Sequence, residues 1–110
     1  MRNKYGAKKQ VFRRIKFDSK LELNYYLFLL EKKEKGLIKH IELHKRIDLI
    51  VNGQLICFIK PDFVIHYTDF SIEYHDTKGV VTSGFRLKAK LFKALKDREI
   101  KIIKATDKWE

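Results

Sequence analysis

The chain has one cysteine, one proline, one methionine and one tryptophan in 110 residues. A lone thiol, Cys57, cannot close an internal disulfide, and without a Cys cluster no zinc site can be built from thiolates. Cys57 lies in the run Leu55-Ile56-Cys57-Phe58-Ile59, where a small core residue is the simplest role and a reactive thiol the rarer one. Apolar runs are no longer than that stretch, far short of the ~20 residues that span a bilayer. No secretory leader is expected either, because Met1-Arg2-Asn3-Lys4 leads into more charge. These absences predict an intracellular, cytoplasmic chain. With no repeat, low-complexity tract or linker, they also predict one domain with a modest core.

Acidic residues are outnumbered too. Asp and Glu number 14 against 25 Lys and Arg, a formal charge of +11. Such an excess favours a polyanionic partner, most commonly nucleic acid; the plainer alternative is charge that only keeps the protein dispersed. Hydrophobic content of 45% with eight Phe argues against disorder.

Residues 1–16 read as a basic arm, with Arg13 and Arg14 among its charges and a short strand expected over Val11 to Phe17. The arm could lie along a phosphate backbone or remain a solvated terminus. The domain proper covers 17–110. Asp18-Ser19 opens a first helix, with Leu23, Tyr26, Leu27 and Leu30 as its apolar stripe, Tyr25 and Phe28-Leu29 widening it, and Gly36 as its stop. Glu22, three residues after Ser19, has capping-box spacing.

Leu37 to Val51 reads as one strand or two. His40 and His44 have the spacing of helix-face metal ligands, but the segment looks extended, so both are expected at the surface. Asn52-Gly53 predicts a hairpin into Gln54–Tyr67, which Pro61 must interrupt. Tyr67 to Ser71 is a turn, and a third strand ends at Gly79. A second helix is expected from Phe85 to about Arg98, with Phe85, Leu87, Leu91, Phe92 and Leu95 apolar and Arg86, Lys88, Lys90 and Lys93 forming a basic stripe. A last strand covers Ile100 to Ala105. Trp109 is expected either against the core edge or in a subunit contact.

Alternation along strands places Asp62, Val64 and His66 on one face, and Ile72, Tyr74, Asp76 and Lys78 on one face of the next strand. With the right register, two carboxylates and an ammonium group converge at one end of the pair. Two acids able to hold a divalent cation beside a lysine suit phosphodiester chemistry.

The order helix, three strands, helix, strand, with Pro61-Asp62 on the second strand and Asp76-Thr77-Lys78 on the third, resembles the PD-(D/E)XK nuclease superfamily. The resemblance is closest to a family of small, largely uncharacterised phage proteins of Holliday-junction-resolvase-like type. It rests on Tyr5-Gly6-Ala7-Lys8-Lys9, Phe17 to Glu22, Asp76 to Gly79 and Phe85 to Lys90, in that order. It implies an α/β (α+β) fold with a restriction-endonuclease-like αβββαβ core, a central mixed sheet flanked by helices. It further implies a DNA endonuclease using Mg²⁺ or Mn²⁺, with Asp62, Asp76, Glu22 and the Thr77 carbonyl at the metal. Lys78 would be the catalytic lysine, and Lys88 or Lys90 would lie near a phosphate. Glu22 thereby gains a metal-site role beside its capping one. Asp76 stands where many such proteins have Glu. A homodimer is expected for a branched DNA substrate. The rival expectations are a non-catalytic DNA-binding module and a phage adaptor protein on the same scaffold.

Overall fold

The computed structural model describes residues 9–109. The first half of the expected arm therefore lies outside the described residues, as does most of the Tyr5 to Lys9 block. From Gln10 onward the chain is folded: β1 (Gln10–Phe12) and β2 (Ile15–Phe17) pair antiparallel, with Val11 opposite Lys16. The single strand expected over Val11 to Phe17 is thus a hairpin, turning at Arg13 and Arg14, whose φ values are 49° and 67°. Two left-handed residues in a two-residue loop are usually Asn or Gly. Arginines there give no turn signal.

Helix α1 (Lys20–Glu34) starts at Ser19, whose Oγ accepts the Glu22 N–H at 3.1 Å. Glu22 reaches back as in a capping box, but one residue further: its Oε2 accepts from the Asp18 N–H at 3.3 Å. Gly36, at φ 82°, stops the helix as predicted. The fully buried positions are Glu22, Tyr25 and Leu29, so the stripe centres on residues expected only to widen it, with Tyr26 and Phe28 partly buried beside them. The helix is rotated so that Tyr25 packs edge-on against Phe63 and Trp109, and Leu27 is left 39% exposed. Trp109 therefore lies against the core edge.

Next come β3 (Ile38–Leu43), β4 (Ile47–Val51), β5 (Gln54–Ile59), β6 (Phe63–Tyr67) and β7 (Ile72–Thr77), then helix α2 (Ser83–Lys96) and β8 (Ile100–Ile103). The main sheet has the order β3-β6-β7-β8, antiparallel except for the parallel β7–β8 pair that α2 connects. β4 and β5 form a separate two-stranded ribbon closed by Asn52-Gly53, with φ of 51° and 77°. Two long strands thus bend together and leave the sheet. The corner is marked on one side by buried Pro61, which has no N–H to give a ladder, and on the other by His44 at φ 51°.

Helix α1 covers one sheet face, where Tyr25, Leu29, Ile38, Phe63, Ile65 and Ile103 form a core. Helix α2 and the ribbon cover the other, with Leu49, Ile59 and Phe92 buried against Tyr74 and Ile100. The architecture is mixed α+β, a central mixed sheet flanked by helices. α2 begins earlier than expected, because Thr82 Oγ1 accepts the Phe85 N–H at 3.1 Å and so caps it. It ends at Lys96, before Arg98, where Asp97 turns left-handed. Its apolar face is narrower than expected, since Leu87 is 70% and Leu95 38% exposed. Among the described residues no helix is long and apolar enough to cross a membrane.

Candidate metal centre

The β6–β7 register pairs Phe63 with His75 and Val64 with Tyr74. One step outward, Asp62 and Asp76 face each other at the end of the pair. The Asp62 N–H donates to Asp76 Oδ1 at 3.2 Å. Asp62 Oδ2 accepts from both the N–H and the hydroxyl of Thr77, at 2.8 and 2.7 Å. Lys78 Nζ lies 3.3 Å from Asp76 Oδ2 and 4.5 Å from the centre of the Phe85 ring. Strand alternation thus brings Asp62, Asp76 and Lys78 together. Thr77 acts here through its N–H and hydroxyl, which hold Asp62 in place.

Asp76 is 3% exposed. Burial, then the hydrogen bond and negative charge of Asp62, push its pKa up to about 8, while Lys78 pulls the other way. A carboxyl in this position favours either a proton or a cation. The available donors are carboxylate oxygens, the hard ligands that Mg²⁺ and Mn²⁺ prefer, so the residues fit such an ion.

Glu22 comes from α1 and is 2% exposed. It lines an open cavity of about 430 Å³ with Asp62, Thr77 and Lys78. Burial raises its pKa; the bond from His44 opposes that, and the charge of Asp62 adds to it. Glu22 is not in mutual reach of both aspartates. Among the described residues, the three ligating side chains that do converge are Asp18, Glu22 and His44, within 4.8 Å of one another. Asp62 lines the same cavity as Asp18 and Glu22 and is hydrogen-bonded to Asp76.

His44 corrects the expectation of a surface residue. Its side chain is 29% exposed and its Nε2 bonds Glu22 Oε1. That bond raises the His44 pKa, against the effect of burial. Spacing could not reveal this, because His44 reaches Glu22 only through the bend between β3 and β4. His40 is exposed, as expected.

The basic residues divide. Lys88 lines a second cleft, of about 360 Å³, with Asp76, Lys78 and Phe85, and its Nζ lies 5.4 Å from the centre of the Phe58 ring. Lys90 is roughly 200° further round the helix and exposed. Lys93 is held by Glu99 at 2.7 Å. Arg86 is exposed on α2, and Arg13 and Arg14 are exposed at the hairpin turn. Of the expected DNA-contacting residues, Lys88 is the one brought to the acids.

A family model described as "Protein of unknown function (DUF1064)" matches residues 2–109. No curated protein and no solved structure matches the chain.

Proposed function

The chain belongs to the DUF1064 family, whose function is unknown, and from the site it carries we propose that it is a metal-dependent DNA endonuclease. The observation that carries this reading is the Asp62–Asp76 pair: two facing carboxyls, one with its pKa pushed up to about 8, with Lys78 Nζ 3.3 Å from Asp76. The resemblance of Pro61-Asp62 and Asp76-Thr77-Lys78 to PD-(D/E)XK nucleases supports it.

Asp62 and Asp76 would hold Mg²⁺ or Mn²⁺, with Glu22 supporting from α1. When bound, the ion supplies polarisation of the scissile phosphate and a water of lowered pKa. Thr77 keeps Asp62 from turning away. Lys78 sets a fixed positive charge where negative charge grows in the transition state. Lys88 takes a backbone phosphate beside the acids. Arg13, Arg14, Arg86 and Lys90 add affinity without reading bases.

The proposed substrate is branched DNA, such as a Holliday junction, processed in the cytoplasm of a phage-infected cell. Cutting a junction symmetrically calls for a two-fold dimer. Ile50, Leu55 and Ile56, each at least half exposed on the ribbon, offer apolar surface for one.

The test is cleavage of four-way junctions and linear duplexes with Mg²⁺ by the wild type and by Asp76→Ala. Loss of cleavage in the variant is expected; undiminished cleavage overturns the assignment. A non-catalytic DNA-binding protein, the second reading, is favoured by the +11 charge alone. It would bind DNA but titrate no Mn²⁺.

A further inference from the structure

We propose that His44 is a positioning residue of this metal site: its imidazole fixes the Glu22 carboxylate beside Asp62, and its loss weakens divalent-cation binding without unfolding the chain. The inference rests on the metal-site reading of Asp62 and Asp76 and extends it to a residue outside the acid–acid–lysine set.

Glu22 and Asp62 approach from different elements. Glu22 is in the first turn of α1, and Asp62 is at the corner between β5 and β6. Glu22 has three side-chain torsions, so the helix alone does not decide where its carboxylate points. Two contacts do. Oε2 is tied to the Asp18 N–H at 3.3 Å, which is a capping contact. Oε1 is held by His44 Nε2. Only the second contact links Glu22 to the side of the cavity where Asp62 lies.

His44 is fixed at its other end as well. Its backbone N–H donates to the Asp62 carbonyl at 3.0 Å. One residue therefore grips the Glu22 carboxylate through its side chain and the Asp62 backbone through its main chain, and so sets the gap between them. The backbone bends there to do it: His44 has φ 51°, a left-handed conformation that costs any residue with a Cβ. Space-filling does not account for a histidine at this position, since the side chain keeps 29% exposure. Groups that orient a metal ligand in this way typically matter about 10–100-fold in metal affinity.

The experiment is titration of the full chain with Mn²⁺ by calorimetry, for the wild type, His44→Asn and His44→Gln, with thermal melting of each followed by circular dichroism. Asparagine tolerates the left-handed backbone, so the fold is kept, but its amide is too short to reach Glu22. Glutamine places an N–H donor close to where Nε2 lies. The expected result is Mn²⁺ affinity weakened on the order of 10–100-fold in His44→Asn and largely restored in His44→Gln, with similar melting. Affinity unchanged in His44→Asn, or Gln no better than Asn, overturns the proposal. A wild type that binds no Mn²⁺ removes the metal-site reading and this inference together. Binding that ignores the His44 substitutions removes this inference alone.

Discussion

His75 and Asp76 are neighbours in β7, 2% and 3% exposed, on opposite faces of the sheet. His75 faces α1 and is satisfied. Its Nδ1 lies 2.6 Å from the Tyr25 hydroxyl and its Nε2 3.0 Å from Glu73 Oε1, which also accepts from the Tyr67 hydroxyl at 2.7 Å. A neutral imidazole with its proton on Nε2 gives every donor in this chain an acceptor. Burial holds the His75 pKa below its usual value, in keeping with that neutral form. Asp76 faces the other way and meets a second carboxylate, which helps burial push its pKa up to about 8. Burial drives both groups towards their neutral forms; what differs is the partners, since one network matches donors to acceptors and the other sets acid against acid. Burial of a polar residue alone does not mark a site; the mismatch does.

The largest effect that would sharpen this contrast is in the satisfied network. His75→Ala removes a buried ring and strands the Tyr25 hydroxyl, so it should cost about 3 kcal/mol of stability in urea unfolding. A loss under about 1 kcal/mol would mean the network is not structural. The wild type should also lose stability as pH falls through about 6.5, because the unfolded chain then takes up a proton that buried His75 refuses. That component should vanish in the variant.

At Asp76 the sign reverses. Its folded pKa is raised from 3.8 to about 8, so the favourable protonated form is complete below about pH 4 and lost as pH rises towards 8. Asp76→Asn cannot ionise. Without metal it should therefore be more stable than the wild type at pH 8, by roughly 2 kcal/mol, and no more stable near pH 4. Added Mg²⁺ should stabilise only the wild type and close the gap. A variant less stable than the wild type at pH 8 would make Asp76 a structural acid and collapse the contrast with His75.

Much of this contrast is legible in the sequence. Strand alternation puts Asp62, Asp76 and Lys78 on one face, and Asn52-Gly53 and Pro61 mark the hairpin and its break, because each is a local preference. Glu22 is accessible too: it stands three and seven residues before Tyr25 and Leu29, an acid on a core stripe. Centring the stripe on Leu23, Tyr26, Leu27 and Leu30, with Tyr25 and Leu29 only at its margin, hides that, since periodicity in a helix apolar on several sides does not choose the buried face. His44 is not legible. Its contact with Glu22 spans 22 residues and depends on two strands bending together. The turn at Arg13 and Arg14 is equally hidden, because left-handed arginines follow no turn preference.

The smallest effect tests whether the two faces of β7 are independent. Tyr67→Phe removes the hydroxyl that donates to Glu73 and is the main cause of the lowered Glu73 pKa. Glu73 is 52% exposed at its side chain. Solvent therefore screens the interaction, and the cost at neutral pH should be only ~0.5 kcal/mol. A depressed carboxyl contributes its stability above its unfolded pKa and loses it as pH falls. The gap between wild type and variant should thus narrow below about pH 4.5, the usual Glu value. Mn²⁺ affinity should not change, because Tyr67 and Glu73 lie on the α1 side of the sheet and Asp76 on the α2 side. A measurable loss of Mn²⁺ binding in Tyr67→Phe would mean that the hydrogen-bonded chain through His75 sets the backbone position of Asp76. The satisfied network would then belong to the proposed metal site as its rear support.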